Sequence, residues 1–128
     1  GTSILTSSDG ITWATHASTG ASTNGVNSII HAGSQFVAVG SGGMILTSPD
    51  GLAWTSRASN TTNVLKSVTW SGSLFVAVGN GGVIRTSTDG VVWAVSEAGS
   101  TKDFAGVAWS GSQFVVVGYG GNTILSSP

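Results

Sequence analysis

The residues able to do acid–base, nucleophilic or metal chemistry are few and scattered. Asp9, Asp50, Asp89, Glu97 and Asp103 are the acids, His16 and His31 the imidazoles, Arg57, Lys66, Arg85 and Lys102 the cations, and Tyr119 the single phenol. Cysteine is absent, so neither a disulfide framework nor a thiolate metal site is available. His31 has no carboxylate near it in sequence and His16 falls on an expected outer strand, so no metal site and no cofactor are expected. Ordinary glycoside hydrolysis needs two carboxylates flanking the scissile bond. These would have to be Asp103 with a symmetry mate, or the turn aspartates discussed below. Gly33-Ser34 and Gly72-Ser73 loosely match the start of a nucleophile motif, but without a strand-turn-helix context or a His/Asp partner they read as turns. The glycine pairs are followed by no helix whose N-terminus could hold a phosphate. Four cations spread over the chain cannot neutralise a run of phosphates or a lipid surface, so neither a nucleic-acid nor a membrane partner is expected.

The elements that must position these residues come from a β-rich composition. The chain has 128 residues, 7% charged, with net charge −1 and twenty glycines, which is one domain's worth of short strands and tight turns. No run approaches the ~18 apolar residues of a membrane helix. Gly1-Thr2-Ser3-Ile4 lacks both a basic and an apolar leader region, so no signal peptide is expected within this sequence. Self-similarity is the dominant signal. Asp9-Gly10 with Trp13 returns as Asp50-Gly51 with Trp54 and as Asp89-Gly90 with Trp93, at intervals of 41 and 39 residues. Gly33-Ser34-Gln35-Phe36, Gly72-Ser73-Leu74-Phe75 and Gly111-Ser112-Gln113-Phe114 repeat at 39, as do Gly42-Gly43, Gly81-Gly82 and Gly120-Gly121. The first unit is longer by two residues, which places an insertion in Ala17–Gly25 and predicts a loop there. Each unit divides into four β-rich runs, in the middle stretch Met44–Ser48, Leu52–Arg57, Val64–Trp70 and Leu74–Gly79. Phe75-Val76-Ala77-Val78 is continuously apolar, as in a sheet buried on both faces. Four-stranded antiparallel sheets stacked at a period near 40 predict an all-β fold of propeller blades, with a parallel β-helix as the rival.

The stretches Ser7-Ser8-Asp9-Gly10-Ile11-Thr12-Trp13, Ser48-Pro49-Asp50-Gly51-Leu52-Ala53-Trp54 and Ser87-Thr88-Asp89-Gly90-Val91-Val92-Trp93 resemble the Asp-box, or BNR repeat, of sialidase-like and related β-propellers. The resemblance covers the whole chain. It implies that the turn joins the third and fourth strands of a blade, that Asp9, Asp50 and Asp89 bond turn backbone, and that Trp13, Trp54 and Trp93 pack inside. An Asp one residue before Gly independently suits a tight turn whose carboxylate accepts backbone N–H groups while the glycine takes a positive φ. These nine residues, Gly10, Gly51 and Gly90 included, are therefore expected to be structural. The sialidase pattern also implies an arginine triad, an acid/base Asp and a Tyr nucleophile assisted by Glu. This chain offers Arg57, Arg85, Tyr119 and Glu97, with Arg57 and Glu97 on expected outer strands, so no enzyme activity is expected.

With the resembling strand order, the chain runs from a third strand (Thr2–Ser7) to another third strand (Thr123–Ser127), and Gly121–Ser127 echoes Gly1–Ser7. It holds about three blades, fewer than the roughly four to eight that close a ring. Self-association into a ring follows as the expectation, a six-bladed homodimer first and a nine-bladed trimer second, with an excised piece of a larger propeller enzyme or an assembly unit without ligand as alternatives. The expected role is a non-catalytic module for binding or scaffolding, with glycan or protein as ligand. The ligand face would comprise the joining loops Ala17–Gly25, Ser59–Asn63 and Ala98–Asp103 and the corners Gly40–Gly43, Gly79–Gly82 and Gly118–Gly121. Within it Asn24, Asn60, Asn63, Lys102 and Asp103 are the candidate ligand residues. Trp70, Trp109 and His31, at the ends of first strands, would ring one mouth as a plug or a sugar-stacking shelf.

Overall fold

The structure, a computed structural model, describes residues 3–23, 25–120 and 124–127. The described residues form four sheets, antiparallel except for one short parallel strand, and none of these sheets closes on itself. The first is a hairpin of β1 (Ser3–Thr6) and β2 (Ala14–Ala17). After a two-residue strand β3 (Thr19–Gly20), the second sheet runs β4 (Val26–Ala32), β5 (Gln35–Gly40), β6 (Ile45–Ser48) and β7 (Ala53–Arg57). The third follows the same order with β8 (Leu65–Trp70), β9 (Phe75–Gly79), β10 (Ile84–Ser87) and β11 (Ala94–Ser96). The fourth contains β12 (Phe104–Trp109), β13 (Phe114–Gly118) and β14 (Ile124–Ser127). The ends expected at Thr2 and Thr123 lie outside the described residues.

Part of the Ala17–Gly25 insertion, expected to be a loop throughout, is instead strand. Thr19 and Gly20 pair in parallel with Ala53 and Trp54 and extend the outer edge of the second sheet. An unpaired β7 edge offers backbone N–H and C=O groups, and the two extra residues give the chain enough reach to satisfy some of them.

Each first strand carries the same irregularity. Pairing skips one residue between Val26 and Ser28, between Leu65 and Ser67, and between Phe104 and Gly106, which bulges the strand and sharpens its twist. First strands of successive sheets then stack, β4 on β8 and β8 on β12. The Ser28 hydroxyl accepts from Val68 N–H at 3.4 Å, and 39 residues later Ser67 accepts from Val107 N–H at 3.2 Å.

The cores lie between sheets. Val37, Val39 and Ile45 of the second meet Leu65, Val68, Phe75, Ala77 and Trp93 of the third. Val76 and Val78, on the opposite face of β9, meet Phe104 and Val116 of the fourth. Burial on both faces is why Phe75–Val78 is unbroken by a polar residue, and each fully buried large apolar side chain contributes roughly 1.5–3 kcal/mol. A single-turn corner joins the second and third strands, Ser41–Gly43 in one unit and Asn80–Gly82 in the next. A Cβ on Gly43 would lie 1.9 Å from Thr61 O, and one on Gly82 1.9 Å from Ser100 O, so the incoming loop touches bare backbone there.

Candidate functional site

The three Ser-x-Asp-Gly turns share one hydrogen-bond scheme. In the third, Asp89 Oδ1 accepts from Val91 N–H at 2.8 Å, Val92 N–H at 3.1 Å and Ser87 Oγ at 3.0 Å, while Gly90 N–H donates to Ser87 Oγ at 2.8 Å. Asp50 repeats this with Leu52 and Ala53, and Asp9 with Ile11 and Thr12. The backbone N–H groups hold all three carboxyls below the usual carboxylate range, those of Thr12, Ala53 and Val91 acting most strongly in each turn. In each turn the aspartate Oδ1 is thus engaged by the turn's own backbone and serine.

The tryptophans differ. Trp54 and Trp93 are 5% and 4% exposed and donate from Nε1 to Gly51 O and Gly90 O at 3.0 and 2.9 Å. Trp13 is 57% exposed. The inward packing that the resemblance implies for all three thus describes Trp54 and Trp93 but not Trp13. Each of these indoles faces the sheet that precedes its own in the chain, and the first sheet has no such neighbour within the described residues.

His31, Trp70 and Trp109 each tilt against the phenylalanine opposite in their own hairpin, Phe36, Phe75 and Phe114, at 4.6, 4.2 and 4.6 Å between ring centroids. His16 Nε2 lies 2.9 Å from Thr6 Oγ1. Among the described residues no three His, Asp or Glu are close enough to share a metal ion.

Two clusters form on the joining-loop face. In the first, a groove of about 900 Å³ is lined by Ser41–Ile45, Ser56, Arg57 and Ser59–Thr62, which brings Asn60 and Arg57 together. Arg57 is half-buried, its Nε held on Thr47 Oγ1 at 3.0 Å. In the second, Asn63 Nδ2 donates to Asn80 O at 3.2 Å and Asp103 Oδ1 accepts from Gly81 N–H at 2.8 Å, so both side chains converge on one glycine corner. Lys102 stands apart, in a shallow hollow with Glu97, Gly99, Ser100 and Thr101. Asn24 lies outside the described residues, as does Gly121 of the third corner. Tyr119 is exposed.

Sequence reasoning weighed Arg85 only against the arginine triad and missed its place at the joining loop. It is 7% exposed and donates to three carbonyls, from Nε to Ser59 O at 2.6 Å, Nη1 to Ile84 O at 3.0 Å and Nη2 to Asn60 O at 3.1 Å. It thereby pins the wall of the groove at Asn60, the one non-glycine with positive φ (55°) among the described residues. The signal was present as an arginine where the preceding unit, 39 residues earlier, has Leu46. No family model matches this chain, nor does any curated protein or solved structure.

Proposed function

We propose that this chain is a non-catalytic Asp-box β-propeller module that closes a ring with further copies of itself and serves in binding or scaffolding, with glycan or protein as ligand. The observation that carries the reading is the unequal burial of equivalent positions. Leu46 and Trp54 are buried against the first sheet, whereas Leu5 and Trp13, at the same positions one unit earlier, are each 57% exposed. At the other end Ile124 is 70% exposed and its cross-strand partner Val117 44%. Two apolar sheet faces of the kind that stack inside the chain are thus left uncovered, and apposing them between copies repeats an existing interface. Binding is assigned to the joining-loop face because the side chains that vary between units, Asn60, Asn63, Lys102 and Asp103, gather there.

Absolute mass by light scattering behind a sizing column tests this. A species near twice 12.7 kDa supports the six-bladed dimer and one near three times that mass the nine-bladed trimer. A stable monomer at all concentrations overturns the ring.

A further inference from the structure

The face of the second sheet turned toward β1 repeats a face that the chain fills elsewhere. Val26, Ile29, Phe36, Ala38 and Trp54 stand 39 residues before Leu65, Val68, Phe75, Ala77 and Trp93. The later five receive Val37, Val39 and Ile45 of the preceding sheet. The earlier five line a groove of about 290 Å³ together with Ile4 of β1, the counterpart of Ile45 one unit earlier. Ile29 is 54% exposed there, against 6% for Val68.

The two valines that fit this groove occur once more in the chain. Val115 and Val117 stand 78 residues after Val37 and Val39, on β13, whose Phe114–Val117 run is as apolar as Phe75–Val78, the run buried on both faces. Val116 is 5% exposed and faces the third sheet, while Val117 on the other face is 44% exposed. β13 carries no charge, and Asp50, the one charged residue lining the groove among those described, is engaged by its own turn.

Seating the valines beside Ile4 as Val37 and Val39 sit beside Ile45 requires a particular backbone pairing. Val39 lies opposite Ile45 on β6, so Val117 must come opposite Ile4 on β1. That edge of β13 is already held by β14, with Val117 opposite Ile124 and Val115 opposite Ser126. β14 repeats β1, Ile124-Leu125-Ser126-Ser127 against Ile4-Leu5-Thr6-Ser7, so two near-identical strands compete for one edge.

We infer, resting on the proposed ring, that its junction forms by strand exchange: β13 of a second copy seats Val115 and Val117 in this groove, and its β14 yields the β13 edge to the incoming β1. β1 brings β2 with it through the Asp9 turn, so the exchanged sheet has four strands ordered as in the third sheet. The ladder bonds lost with β14 are remade with β1, and the apolar surface closed over the groove is the net gain. Until exchange, β14 caps the edge and holds copies apart.

The chain has no cysteine, and residues directly opposite across antiparallel strands stand within disulfide reach, so engineered pairs report the pairing. Thr6→Cys with Val115→Cys should close a disulfide between two copies. Val115→Cys with Ser126→Cys should close within one chain and hold it at 12.7 kDa by light scattering until a reductant is added. Removing residues 121–128, β14 included, should tighten association at least about tenfold. Should that truncation fail to fold, the two cysteine pairs decide. Association of the oxidised Val115→Cys/Ser126→Cys chain as strong as the parent's, an associating Thr6→Cys/Val115→Cys chain that closes no disulfide between copies, or unchanged association of a folded truncated chain would each overturn the exchange and leave ring closure in place. A chain that stays monomeric in every variant would overturn both.

Discussion

The first and third Asp-Gly turns have the same hydrogen bonds and opposite surroundings. Asp9 and Asp89 each accept from two backbone N–H groups of their own turn, and Gly10 and Gly90 have φ of 75° and 78°. Yet Trp93 lies in the core with Val37, Val39 and Phe75, while Trp13 is 57% exposed. The turn is thus a local object, fixed by six consecutive residues, Ser7–Thr12 or Ser87–Val92, whatever lies beside it. Burial of its tryptophan is a tertiary property, conferred by the neighbouring sheet.

The largest effect expected from that contrast is on the indoles. Trp93→Ala should lower unfolding free energy by about 3–5 kcal/mol, the usual range for deleting a buried aromatic. Trp13→Ala should cost within about 0.5 kcal/mol in the dilute monomer, as an exposed substitution does. Urea unfolding of both variants checks this, and similar losses would break the comparison. Repeating the Trp13→Ala measurement at rising protein concentration sharpens it. The proposed ring would cover Trp13, so the cost should grow with concentration, and a constant cost speaks against closure.

A smaller difference should separate the turn glycines. Alanine in a left-handed conformation costs roughly 1–2 kcal/mol, and Gly10→Ala should show that alone because a Cβ there meets nothing within 4 Å. At Gly90 the same Cβ would stand 2.9 Å from Gln35 Nε2. Gln35 donates to Asp89 O at 2.7 Å across the sheet interface, so Gly90→Ala should also weaken that bond and cost about 1 kcal/mol more than Gly10→Ala. Thermal unfolding of the pair checks the gap. Equal losses would mean that Gln35 adapts without cost.

The same division explains how much of the molecule was legible in its sequence. Repeat length, the four-run pattern of the complete units and the Ser-x-Asp-Gly turns are set by neighbours along the chain, and spacing reveals them. The unbroken Phe75–Val78 run even announces burial on two faces. The exposure of Trp13 was not legible, because nothing in Ser7–Trp13 says whether a sheet stands beside it. Nor was the parallel pairing of Thr19–Gly20 with Ala53–Trp54, which joins residues 34 apart through backbone atoms alone. The candidate site was half legible. Loop variability pointed to Asn60, Asn63 and Asp103, but the convergence of Asn63 and Asp103 on one corner needed the backbone, and so did the wall held by Arg85 beside Arg57's groove.

The smallest effect concerns acid. Backbone N–H groups lower the pKa of Asp9, Asp50 and Asp89 in the folded chain below the ordinary value of 3.8. A depressed folded pKa means that the unfolded chain takes up protons first. The stabilisation is therefore fully present above the unfolded value and is lost as pH falls through the folded one. Unfolding midpoints should be flat above about pH 5 and decline below about pH 4, where ordinary aspartates titrate. Because the proton's cost is set inside the turn, Asp9→Asn and Asp89→Asn should each remove a similar share of that decline, despite the different burial of Trp13 and Trp93. Urea titrations at a series of acid pH values compare the two variants with the parent chain. A decline carried almost wholly by Asp89 would show that the neighbouring sheet sets the turn's electrostatics as well as its packing, and the view of the turn as a local object would have to be abandoned.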